Sequence, residues 1–172
     1  GHDMPGDLVP LDMGVIGPMA RSAADLDLAL SVLAGPEAAD AVAWRLDLPD
    51  APPRRWADWR IGILLDDDAA PVDAEVQDAI QTLADFLAAR GARVTGRVRP
   101  IGDSRAAFGL FVRLLRSATT GHLSDDEAEA SLKEVARLDA AATGYTADTL
   151  LGRAMSHRAW LRANEARYRL KR

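Results

Sequence analysis

Three consecutive carboxylates, Asp66-Asp67-Asp68, follow the apolar run Ile61-Gly62-Ile63-Leu64-Leu65. A strand that ends in acidic residues is where α/β folds place ligands, and clustered carboxylates suit a divalent cation. The competing reading is a polar loop that simply ends the strand. A receiver-type cation site also needs an acceptor Asp on a later strand and a Lys on another strand. The two lysines, Lys133 and Lys171, both lie in helical patterns, which favours the loop reading. No metal site is expected.

Other reactive side chains are sparse. His2, His122 and His157 are far apart, and none has a second His at metal-ligand spacing. Cysteine is absent, which removes disulfides, thiolate metal sites and cysteine nucleophiles together. Ser156 precedes His157, but consecutive helical residues diverge by about 100°, so the two do not form a nucleophile–base pair. No G-x-S-x-G elbow, phosphate-binding loop or G-x-G-x-x-G occurs. No catalytic residue is therefore assigned, and no cofactor is expected.

The elements that would position any site read as follows. Residues 1–18 hold four Gly and three Pro and read as loop, with Val15-Ile16 as a short strand. Ser22 begins a helix whose apolar face is Leu26, Leu30 and Leu33, stopped by Gly35-Pro36. Residues 36–59 form a proline-rich crossing, expected to be ordered by burial of Trp44, Trp56 and Trp59. Arg60–Leu65 reads as a strand. A helix follows from Asp73 to Arg90, with Val76, Ile80, Leu83 and Leu87 inward, then Gly91 and a second strand over Ala92–Val98. This unit predicts two parallel strands joined by a right-handed crossover. Three helices complete the chain. The first runs from Ser104 to Ser117, with Phe108, Phe111, Leu114 and Leu115 inward. The second runs from Ser124 to about Ala142, and the third from about Ala147 to Arg172.

On the last of these helices Leu150, Ala154, His157, Leu161, Asn164 and Tyr168 step by four and three along one face. Either His157 and Asn164 are core polar groups satisfied by hydrogen bonds, or the helix lines a polar pocket. Residues 153–172 also carry seven basic side chains and one acidic. The chain has 19 Arg to 2 Lys, 20 Asp to 6 Glu, and 33 Ala. That bias reflects a GC-rich coding sequence, so the arginines are not read as a nucleic-acid or membrane surface.

The chain has 172 residues, 48% hydrophobic, with a formal charge of −5. It is long enough to bury a core and gives no global attraction to nucleic acid or anionic lipid. It has no apolar run of 18 residues. The helical pattern reaches the last residue without a stop signal, and the first residues begin within loop chemistry. A piece of a longer protein is expected.

The stretch Val15-Ile16-Gly17-Pro18-Met19-Ala20-Arg21-Ser22-Ala23-Ala24-Asp25-Leu26 resembles the V-x-G-P-M-A-R-S-x-x-D-L segment of the amidase signature family. Leu28–Pro36, the proline-rich crossing into Arg60-Ile61-Gly62-Ile63, and the helix with His157-Arg158 and Glu165 are also similar, in the same order. The resemblance implies an α/β fold: a fragment of the amidase-signature fold, its mixed or parallel strands flanked by helices, with a helix-rich C-terminal half. Residues 1–172 would be a partial amidase domain. It would comprise a loop and helix (1–35), the crossing (36–59), a strand–helix–strand unit (60–98) and a helical part (99–172).

In that family a serine nucleophile, a second serine in a cis peptide bond and a lysine base hydrolyse a carboxamide without cofactor. All of these lie upstream of the matched segment, so none maps onto this chain and catalytic residues here are none. The resemblance implies a small-molecule amide as substrate of the full-length enzyme only, cytoplasmic location, and self-association of this piece. His157, Asn164 and Arg21 are the candidate residues of a substrate-pocket wall. The alternative is a non-catalytic α/β binding or signalling module built on Arg60–Val98.

Overall fold

The computed structural model describes residues 12–15, 17–49, 54–96 and 98–172. The proposed strand at Val15-Ile16 falls partly outside them. The described residues divide into two compact units, one of residues 14–15 and 17–49, the other of residues 12–13, 54–96 and 98–172.

In the first unit, α1 (Ala23–Leu33) starts where Ser22 Oγ accepts the Asp25 backbone N–H at 3.1 Å. This cap satisfies one of the unpaired N–H groups of the first turn. α1 has no buried residue: Leu26, Leu30 and Leu33 are 39, 46 and 49% exposed. A single 3₁₀ turn, Asp40–Val42, follows.

The second unit opens with a 3₁₀ turn, Trp56–Asp58, whose Asp58 carboxylate accepts from the Arg55 backbone and guanidinium. The tryptophans of the crossing are not buried as expected. Trp44 is 72% exposed, and Trp56 and Trp59 are 44% exposed. In the second unit they stack with cations instead: Arg54 lies over Trp59, and Arg90 lies over both Trp56 and Phe86. A guanidinium over an aromatic ring covers it without dehydrating the whole side chain.

β1 (Arg60–Gly62) and β2 (Arg93–Thr95) pair in parallel, with Ile61 opposite Val94, across α2 (Ala74–Ala89). The strand–helix–strand unit therefore has the expected parallel order. Both strands are shorter than expected. Arg93 N–H donates to Trp59 O and Ile63 N–H to Thr95 O.

α2 ends in a Schellman motif, with Gly91 N–H bonded to Ala88 O and Ala92 N–H to Leu87 O. Gly91 sits at φ +95°, a conformation that only glycine adopts without strain. The inward face of α2 is narrower than its apolar pattern suggested. Ala84 is buried and Ile80 and Leu87 half-buried, while Val76 and Leu83 point outward.

The helical part is organised by α3 (Ser104–Ala118), which packs against α5 (Tyr145–Arg153) and α6 (His157–Leu170); α4 (Asp125–Ala136) packs against α5. Val112 and Leu114 are both buried. Residues two apart point to nearly opposite sides of a helix, so α3 is covered on two sides. Phe108 and Phe111, expected inward with Leu114, are 47 and 46% exposed.

Two helix boundaries also differ from expectation. α4 stops at Ala136, because Asp139 Oδ1 captures the Ala141 N–H at 2.8 Å in a local turn. The single helix expected from Ala147 is broken. Ser156 Oγ accepts the Ala159 N–H at 3.2 Å and starts α6 afresh. In all, the described residues are helix-rich with one small two-stranded parallel sheet. None of their helices is long and apolar enough to cross a membrane.

Candidate ligand pocket at the strand ends

Because β1 and β2 are parallel, the chain leaves both strands on the same side of the sheet. The acidic loop after β1 therefore meets the segment that leads from β2 into α3. Asp67 is the junction. Its Oδ1 accepts the Ala69 N–H at 2.8 Å, and its Oδ2 accepts the Ser104 hydroxyl at 2.5 Å. Ser104 is the first residue of α3, after the Asp103 cap that accepts from Ala106 N–H.

Two arginines brace the loop. Arg105 donates to Asp68 O at 2.7 Å, while Arg99 donates to Val98 O at 2.9 Å and meets Asp66 Oδ1 at 3.5 Å. The Ser104 hydroxyl, then the Ala69 amide and, more weakly, the positive charges of Arg99 and Arg105 hold the Asp67 carboxyl below the usual carboxylate range.

Two adjoining pockets share this wall. The polar one, about 380 Å³, lies among Asp66, Asp67, Asp68, Arg99, Asp103 and Arg105. The apolar one, about 610 Å³, is lined by Leu64, Pro100, Ile101, Ala107, Phe108 and Phe111, with Asp67, Arg99 and Ser104 at its edge. The Phe108 and Phe111 rings are offset-stacked at 6.5 Å and 28°. The carboxyl ends of parallel strands are the usual ligand position in open α/β sheets.

No group of three or more His, Asp or Glu is placed to hold a metal ion among the described residues. The acidic run is held as a loop instead, its central carboxylate turned to Ala69 and Ser104.

The residues expected to line a pocket wall belong to two separate units. Arg21 belongs to the first unit and is exposed, without an ion-pair partner among the described residues. His157 and Asn164 belong to the second unit. His157 is the exposed first residue of α6, stacked on Trp160 at 6.2 Å. The helix break at 154–156 separates it from Leu150 and Ala154, so the continuous stripe that suggested a polar face does not form.

Asn164 is hydrogen-bonded within its own helix. Its Oδ1 accepts from Arg167 Nη2 at 2.6 Å, and Arg167 Nη1 meets both oxygens of Asp12 at 2.9 and 3.1 Å. That pair ties Asp12 to α6.

Two features of the helical part had no sequence signal. Asp148 of α5 is 6% exposed and pairs with Arg113 Nε of α3 at 2.7 Å. Gly109 and Gly152 let the two helices approach at this point. The contribution of Arg99 and Ser104 to the strand-end pocket was likewise not visible, because only the parallel pairing brings them to Asp67.

Compared with protein-family profiles, curated proteins and solved structures, the chain matches none.

Proposed function

We propose that this chain is the C-terminal part of an amidase-signature hydrolase. The complete enzyme would hydrolyse the C–N bond of a small-molecule carboxamide to carboxylate and amine or ammonia. An acyl group would pass to a serine supplied by the preceding part of the protein, and water would release it.

The observation that carries the reading is the Val15–Leu26 segment, with its Gly17-Pro18 break and Arg21-Ser22 start of α1. Ser22 and Asp25 have a physical role there, as the helix cap. The order that follows, a proline-rich crossing, a parallel strand–helix–strand unit and a helical part, agrees with the reading. On this proposal the chain works in the cytoplasm without cofactor, and neither nucleic acid nor membrane is a partner.

The test is the coding sequence upstream of Gly1. A Gly/Ser-rich segment with a Gly-Ser-Ser motif, preceded by a lysine, is expected, and its absence overturns the proposal. Purified alone, the chain should not turn over a simple amide such as benzamide. Turnover that co-purifies with the chain through successive columns would equally overturn it.

The second reading is a non-catalytic binding module on Arg60–Val98. The strand-end pocket favours it, and an upstream sequence without the serine motif would leave it standing.

A further inference from the structure

We infer that the paired pockets at the carboxyl ends of β1 and β2 bind an amphipathic organic cation, an ammonium group joined to an aryl or alkyl body. The inference stands apart from the amidase reading, since it uses no residue of the Val15–Leu26 segment.

The body is specified by the apolar pocket. Its volume of about 610 Å³ falls in the range of small-molecule sites, about 300–1,000 Å³. Phe108 and Phe111 present adjacent rings with centroids 6.5 Å apart, and an aryl group about 4.5–7 Å from either centroid adds an offset or edge-to-face contact. Both rings are nearly half exposed although they belong to the otherwise well-covered helix α3. A bound aryl or alkyl group would remove that surface from water.

The head group is specified by charge. Asp67 lines both pockets, at their junction. Its hydrogen-bond partners, the Ser104 hydroxyl and the Ala69 amide, are neutral donors. They orient the carboxylate, and Arg99 and Arg105 act on it only through space, since their hydrogen bonds go to Val98 O, Asp66 and Asp68 O. Arg99, the single cation among the described residues lining the apolar pocket, already faces Asp66 and Val98 O. The polar pocket is lined by four carboxylates, Asp66, Asp67, Asp68 and Asp103, against two guanidiniums, Arg99 and Arg105. A ligand anion would meet net negative charge, whereas an ammonium meets an oriented acceptor.

The test compares three probes with a common phenylalkyl body on the whole chain: 4-phenylbutylammonium, 4-phenylbutanol and 4-phenylbutyrate, titrated by amide chemical-shift perturbation. The ammonium should bind with a Kd on the order of 1 mM or tighter and shift the Ala69 and Phe108 amides. It should bind about 1.4- to 5-fold tighter than the alcohol, the range expected for one solvent-accessible ion pair. The carboxylate should bind weakest.

Asp67→Asn should bring the ammonium-to-alcohol ratio to about one, whereas Phe108→Ala should weaken all three probes together. Should Asp67→Asn fail to fold, the wild-type ranking and the Phe108→Ala titration decide. No shifts at 10-fold higher probe concentration, shifts elsewhere in the chain, or a carboxylate that binds as tightly as the ammonium would each overturn the inference.

Discussion

Gly109 of α3 lies directly beneath the carboxylate of Asp148 of α5. A Cβ built on Gly109 would stand 2.8 Å from Asp148 Oδ2. One turn further along the crossing, a Cβ on Gly152 would stand 2.7 Å from both Arg113 O and Arg116 Cβ. Two glycines, one from each helix, therefore set the separation of α3 and α5.

Substituting either glycine by alanine should destabilise the chain although alanine is the better helix former. The propensity gain is about 1 kcal/mol, and overpacking a fitted contact costs about 1–3 kcal/mol. Gly152→Ala should be the worse of the two, since its neighbours include backbone. Gly121, where a methyl group would meet nothing within 4 Å, supplies the control. Urea midpoints for the three variants check the ranking, and a neutral Gly152→Ala would contradict it.

The Arg113–Asp148 pair should show the asymmetry of a buried charge. Asp148 is almost wholly buried while the Arg113 side chain is 43% exposed. Arg113→Ala leaves a buried carboxylate without its cation and should cost about 1–3 kcal/mol. Replacing both residues, as in Arg113→Met with Asp148→Leu, should cost less than the sum of the single changes. A double-mutant cycle by chemical denaturation measures the coupling; additive values would mean the pair contributes nothing jointly.

Acid sensitivity should localise in part to the start of α4. Ser124 and Glu127 form a reciprocal capping box, in which Glu127 Oε2 accepts from both the Ser124 N–H and its hydroxyl. Those bonds hold the Glu127 carboxyl below its ordinary value. The folded state thus binds this proton less tightly than the unfolded chain. Its contribution is fully present above the unfolded value, about 4.3, and is lost as pH falls through the lower folded value. Wild type and Glu127→Gln should therefore differ in denaturant midpoint at pH 7 and converge toward pH 3. A difference that stays constant with pH would rule this out.

Self-association should follow from α1. Leu26, Leu28, Leu30, Val32 and Leu33 are all between 39 and 77% exposed, an apolar surface on nearly every side of one helix. Full burial of an exposed leucine is worth roughly 1.5–3 kcal/mol, and each of these partly exposed side chains forgoes a fraction of that. Sedimentation velocity across a hundredfold concentration range should show a rising sedimentation coefficient, reduced by Leu26→Ser with Leu30→Ser. A concentration-independent monomer that binds no hydrophobic dye would refute this.

Local signals placed the elements whose punctuation is chemical. Ser22, Ser124 and Gly91 were readable because a helix end needs a hydroxyl acceptor or a positive φ, and both demands are met by the residue itself. The same logic missed Ser156. Its flanks, Leu150, Ala154 and Leu161, continued a helical period that concealed the cap. Periodicity also overstated the inner faces of α2 and α3. It reports which residues are apolar, and Val76, Leu83, Phe108 and Phe111 are apolar without being covered.

The sequence by itself determined the parallel strand–helix–strand unit, since its order, its crossover length and Gly91 leave little alternative geometry. It also determined which reactive groups are missing from the chain. Only the tertiary structure decided where polar groups meet. Asp67 and Ser104 are 37 positions apart and Arg113 and Asp148 are 35 apart, with no pattern linking them. Their contacts arise because parallel pairing sends two loops to one side of a sheet, and because two glycines bring two helices close. Pairings of that kind depend on the relative placement of whole elements, which local propensity does not encode.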